Sequence, residues 1–116
     1  MAIRSSAKTK ISTASRTLTV EVDALNERGE LVGRRDIRVQ TRQALENLKA
    51  LVEAAGGTLQ DVTKTTVYLT DLANYAAMNE VYGAYFAIDP PARATLHVGL
   101  ANPDFLVEIE GIAVIG

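Results

Sequence analysis

Residues 90–100, PPARATLHVGL, followed after a short polar turn by residues 105–114, FLVEIEGIAV, decide how this chain is read. Two prolines fix the backbone and end whatever helix precedes them, so Arg93 opens a new strand. Glu108 and Glu110 interrupt an otherwise apolar last strand. One arginine and two glutamates are thereby expected on adjacent strands, and charge in such strands needs a structural or chemical reason.

Working back from this pair, residues 74–86 place Tyr75, Met78, Tyr82, Tyr85 and Phe86 at helical spacing, and Asp89-Pro90-Pro91 stops that helix. Residues 61–70, DVTKTTVYLT, are rich in β-branched side chains and contain neither Gly nor Pro, which predicts a strand. Asp71 follows it as a helix cap. Over residues 39–55, Ala44, Leu45, Leu48, Leu51, Val52 and Ala55 line one helical face, and Gly56-Gly57 supplies the stop. Residues 17–24, TLTVEVDA, alternate apolar and polar side chains with the period of a half-buried strand, and a turn follows at residues 26–29. Leu31 and Val32 are candidates to extend a hairpin from it.

The order of elements predicts an α+β sandwich, with both helices on one face of a mixed β-sheet. Within the Arg93 strand, Leu96, Val98 and Leu100 share one face and Arg93, Thr95 and His97 the other, so the helices are expected over the apolar set. On the last strand, Glu108 and Glu110 share a face with Leu106, Ile112 and Val114. A sheet face of such mixed character suits a subunit interface with clefts, and a closed cyclic oligomer would cover it.

Composition removes many chemistries. The chain has 116 residues and no cysteine, so no thiolate nucleophile, disulfide or zinc–thiolate site is available. Its single histidine, His97, excludes a histidine dyad or cluster. Its length fits one domain over residues 1–116. A net charge of -2, with 12 basic and 14 acidic residues, does not supply the field that a phosphate backbone requires. The local basic run Arg34, Arg35, Arg38 and Arg42 alternates with Asp36 and Gln40 and reads as a solvated loop and helix start. No stretch is long and apolar enough for a membrane span, and MAIRSSAKTK lacks the apolar segment of a signal peptide. It reads as a tail or first edge strand, with a cytoplasmic location as the expectation.

Segment 40–116 resembles the Rid family of reactive-intermediate deaminases, also called YjgF. The strings that carry the likeness are QTRQALENLKALVEAAGG, LQDVTKTTVYLTDLANYAAMNEVYGAYF, PPARATLHV and LVEIEGIAV, in the family's order and spacing. The resemblance implies a chorismate-mutase-like fold, a homotrimer with an active site in each cleft between subunits, and no cofactor or metal. It also implies hydrolysis of small enamine or imine carboxylates, such as 2-aminoacrylate, to a keto acid and ammonia. By this likeness Arg93 is the substrate-binding and catalytic arginine, and Glu108 the glutamate associated with catalytic water. Asn79 lines the cleft, and Thr95 holds a position commonly Ser, Thr or Cys. The N-terminal third departs from the pattern: the family's Gly-Pro-Tyr-Ser-Gln segment is absent, and Glu21-Val22-Asp23 stands where Ser-Gly-Gln is usual.

Each of these residues has a plainer role beside the chemical one. A guanidinium offers a carboxylate a bidentate fork at any working pH, yet spacing alone favours an ion pair from Arg93 to Glu108 or Glu110; the resemblance reverses that order. Glu108 is assigned mainly to function, Glu110 mainly to an interface. Asn79 either orients a substrate or satisfies a backbone group, His97 reads as a partly exposed sheet residue, and Glu21 as the solvent side of its strand. Two further activities are weighed: a non-catalytic trimer that binds small carboxylates, and a pathway deaminase with an aminomuconate-like substrate. Ribonuclease activity, sometimes attributed to the family, is disfavoured by the acidic balance and the lack of a histidine pair.

Overall fold

The computed structural model describes residues 15–116; the reading of MAIRSSAKTK lies outside the described residues. Strand β1 (Arg16–Val22) leads through a loop to helix α1 (Ile37–Ala54). Strand β2 (Val62–Leu69), helix α2 (Tyr75–Tyr85), strand β3 (Ala92–His97) and strand β4 (Val107–Ile115) follow. Short 3-10 turns at Leu59–Asp61 and Leu72–Asn74 precede β2 and α2.

Each helix boundary has a local cause. Asp36 caps α1 by accepting from the Val39 N–H at 3.1 Å. At the other end Gly56 takes a φ of +94°, and the Gly57 N–H donates to the Val52 carbonyl at 2.9 Å, a Schellman closure that needs glycine. Asp71 does cap a helical turn, accepting from the Ala73 N–H at 2.9 Å, and that turn runs straight into α2. Leu31 does not extend a hairpin strand; it forms only an isolated bridge to Leu25.

The sheet order is β1-β4-β2-β3, with β2 and β3 parallel and the other pairs antiparallel. The expectation that the Arg93 and Glu108 strands are adjacent therefore fails, because β2 lies between β3 and β4. A parallel neighbour for β2 requires a crossover, and α2 supplies it. The last strand then returns to the middle of the sheet, where apolar Val107, Ile109, Ala113 and Ile115 are buried.

Both helices pack on one sheet face, as the order of elements predicts. Leu45, Leu48 and Val52 of α1 and Met78, Val81 and Tyr82 of α2 meet Val62, Val67, Leu69 and the inward residues of β4. Full burial of each such aliphatic side chain is worth about 1.5–3 kcal/mol. Gly111 lets α1 approach closely, since a Cβ there would stand 3.0 Å from Leu48 Cδ1. Polar clasps tie the layers. Fully buried Gln40, expected in a solvated helix start, donates to the Gly33 and Asp104 carbonyls and accepts from the Leu106 N–H. Asn47 donates to the carbonyls of Asp23 and Leu25 at 2.8 and 2.7 Å. Of the basic run, Arg34 pairs with Asp104 and Arg38 with Glu80, both on the surface.

The opposite face carries no helix among the described residues. Register places Glu21 beside Glu110, Glu110 beside Thr66, and Glu108 beside Tyr68, with Tyr68 beside Leu96. Leu96 is 46% exposed and Val114 39%. The expectation that the helices cover the Leu96 side of β3 is thus reversed: Arg93 and Thr95 share the helix side, and Leu96 the open one. Short as it is, β3 gains less from burying Leu96 than the β2 and β4 core residues gain from holding its register.

Candidate active site

Among the described residues strand β3 is the sheet edge, hydrogen-bonded only to β2, and Arg93 pairs there directly with Thr65. From that position the guanidinium reaches α2. Its Nη1 donates to Asn79 Oδ1 at 2.6 Å and its Nη2 to the Tyr75 phenol oxygen at 2.7 Å. The guanidinium carbon stands 4.7 Å from the Tyr82 ring centroid and 5.6 Å from that of Tyr75, both within cation–π range. Tyr75, Asn79 and Tyr82 are four and then three residues apart, so a single stripe of α2 holds the arginine.

A buried hydroxyl pair supports this stripe. The Tyr82 phenol and the Thr65 hydroxyl are 2.6 Å apart, fixing the ring against which Arg93 lies. Burial pushes the Tyr82 phenol upward in pKa, while the Thr65 bond and the Arg93 charge pull the other way. The ion pair expected from Arg93 to Glu108 or Glu110 does not form. Among the described residues, no carboxylate stands within ion-pair distance of Arg93, because the glutamates point from the other side of the sheet.

Glu108 belongs to the open face. Burial pushes its carboxyl above the ordinary range, and the negative charges of Glu21 and Asp23 push it further. Like-charge crowding follows from the register, since Glu21 lies directly across from Glu110, next to Glu108 on the same face. Glu21 is exposed, as expected for the outer side of its strand. Thr95, half-buried, lies two residues beyond Arg93 and faces the same way. His97 is exposed, with Nε2 3.2 Å from the Thr70 carbonyl oxygen. No group of three or more potential metal ligands gathers among the described residues, and no described helix is long and apolar enough to cross a membrane.

The structure brings Arg93 and Asn79 together, with Thr95 beside them on the same strand, and sets Glu108 apart. Sequence reasoning assigned Tyr75 to packing, yet it is 40% exposed and bonds the arginine. The 75–79–82 spacing, set against an edge-strand arginine, was the signal that could have found it.

The fold and the edge arginine define an α+β protein with a guanidinium fixed between a sheet edge and a helix. Residues 9–115 match the family described as Endoribonuclease L-PSP. A RutC family protein of Pyrococcus horikoshii is 54% identical over 85 residues, covering 73% of this chain and 67% of that protein. Among solved structures, YyfB of Yersinia pestis, from the conserved Rid protein family, is 39% identical with a TM-score of 0.78, over 86% of this chain and 79% of that one. TdcF of E. coli, with bound serine, is 34% identical with a TM-score of 0.80, over 91% and 85%. The chain belongs to the Rid (YjgF) family.

Proposed function

We propose that this protein is a cofactor-independent hydrolase that deaminates small enamine or imine carboxylates, with 2-aminoacrylate as the type of substrate. The observation that carries the reading is the Arg93 guanidinium, fixed by α2 and lacking a carboxylate partner among the described residues. Such a group is preorganised for a substrate carboxylate. TdcF, whose bound ligand is serine, is a relative that holds a molecule of this chemical kind.

Arg93 and Glu108 lie on opposite sheet faces, so one copy cannot bring both to one substrate. A homotrimer in which the open face of one copy meets the Arg93 edge of the next joins them, and it also covers Leu96 and Val114. In that cleft Arg93, Asn79 and Thr95 bind the substrate, and Glu108 of the neighbouring copy positions water.

Protonation of the enamine carbon yields the imine. Water then adds to the C=N carbon as one of its protons passes to Glu108, giving a carbinolamine. Return of that proton to nitrogen lets the C–N bond break; ammonia leaves as the C=O bond forms, and the carbinolamine O–H gives its proton to solvent, replacing the one that solvent supplied to the enamine carbon. A carboxyl raised in pKa takes up and returns a proton more readily than one at its ordinary value.

The experiment measures ammonia and keto-acid release from freshly generated 2-aminoacrylate, comparing wild type with Arg93→Ala. Acceleration over the spontaneous reaction that is lost in the variant supports the reading; equal rates sink it. Binding of a keto acid with no turnover of any imine would establish the carboxylate-binding alternative. RNA hydrolysis, which the family description suggests, is opposed by the net charge of -2 and by the carboxylates of Glu21, Glu108 and Glu110 gathered on the open face.

A further inference from the structure

We propose that Tyr75 is a substrate-binding residue, its phenol O–H completing with Arg93 and Asn79 a donor-rich cradle for the substrate's carboxylate. The inference rests on the proposed role of Arg93 and adds the group that fixes which end of a substrate the site accepts.

The argument is one of counting donors and acceptors. A guanidinium has five N–H donors and no acceptor, and two of its nitrogens already donate to Asn79 and Tyr75. Asn79 spends its carbonyl on Arg93, because its NH2 cannot face a donor, so that NH2 is turned away from the cation. The Tyr75 oxygen likewise accepts from Arg93, and its proton must point elsewhere. What these three side chains still offer is mostly donors, namely the remaining guanidinium N–H groups, two amide N–H bonds and one phenol O–H, while the two oxygens that could accept already face the cation.

Such a surface rejects neutral groups that need an acceptor and matches an anion with several lone pairs on two oxygens, as a carboxylate has. Tyr75 is 40% exposed as a residue, unlike the buried Tyr82. Tyr82 differs: its hydroxyl is consumed by buried Thr65, and it offers only its ring. The two tyrosines that flank Arg93 thus divide the work, one supporting the cation and one facing the ligand.

The test titrates 2-oxobutanoate and its neutral amide into wild type, Arg93→Ala and Tyr75→Phe by calorimetry. The expected result is a loss of about tenfold in keto-acid affinity for Tyr75→Phe, the scale of one hydrogen bond to a charged group, with unchanged affinity for the amide and an unchanged melting temperature. In turnover the variant raises KM with kcat nearly constant. Unchanged keto-acid affinity in Tyr75→Phe, while Arg93→Ala abolishes binding, overturns the Tyr75 role and leaves that of Arg93 standing. Keto-acid binding that is absent in wild type, or intact in Arg93→Ala, overturns both.

Replacement of Tyr75 by 3,5-difluorotyrosine separates donation from mere support of Arg93. Its phenol ionises at lower pH, keeping the oxygen that accepts from Arg93 and losing the proton. Keto-acid binding that weakens with rising pH in this variant alone shows that the phenol faces the carboxylate, since the phenolate both loses its proton and repels the anion; binding that stays constant overturns the role.

Discussion

Arg93 and Glu108 stand on opposite faces of one sheet, with the whole of β2 between their strands. Thr65 pairs with Arg93 on the helix side, and Tyr68 pairs with Glu108 on the open side. Two residues that read as strand partners lie on different sides of the sheet, and the proposed site joins them only through separate copies.

Mixing inactive variants should therefore restore activity. Arg93→Ala and Glu108→Gln, each inactive alone, should regain about a quarter of wild-type turnover when refolded together in equal amounts, since random assortment leaves that share of clefts with both residues. Turnover that stays at zero in verified mixed trimers would place both groups in a site within one chain.

Glu108 should make stability depend on pH. Its folded-state pKa is raised above the ordinary 4.5, so the native state holds this proton more tightly than the unfolded chain does. The contribution is complete below about 4.5 and is lost as pH rises through the folded value. Thermal melts should show Glu108→Gln level with wild type at pH 4 and more stable at pH 7. Glu21→Gln should shift in the same direction by a smaller amount, because it removes one of the charges that crowd Glu108.

Thr41 is fully buried on α1, and its hydroxyl has no hydrogen-bond partner among the described residues. Replacement by valine keeps the shape and removes a desolvated polar atom. Thr41→Val should stabilise the protein by about 1 kcal/mol in urea unfolding, with no change in m-value. A loss of similar size would show that the hydroxyl has a partner.

Gln40 presents the opposite case, a buried amide that holds the loop before α1 against the loop before β4. Gln40→Ala leaves the Leu106 N–H and two carbonyls without their partner and opens a cavity. A cost of about 3 kcal/mol is expected from chemical unfolding. A change under about 0.5 kcal/mol would mean that water replaces the amide at no cost.

Much of the fold is legible in the chain because its signals are local. The α1 face from Ala44 to Val52, the Gly56-Gly57 stop and the β-branched run before Leu69 each specify their element without reference to any other. The side of β3 that faces inward is different. Leu96 is the more apolar residue, and periodicity assigned it to the core; the structure buries the Arg93 side instead, because α2 brings Tyr75, Asn79 and Tyr82 to receive the cation. The misreading of Gln40 has the same origin: a glutamine looks solvated until three backbone groups from distant loops converge on it.

The sequence by itself determined the helices, the strands, their order and the family, since each follows from short-range periodicity or from strings of residues in fixed spacing. Tertiary structure alone decided that β4 inserts between β1 and β2, and that Arg93 and Glu108 consequently face apart. Strand order is set by burial summed over the sheet: β4, with inward residues at every second position, gains most from a central place with two neighbours. No pair of residues in the sequence carries that sum, and the separation of Arg93 from Glu108 follows from it.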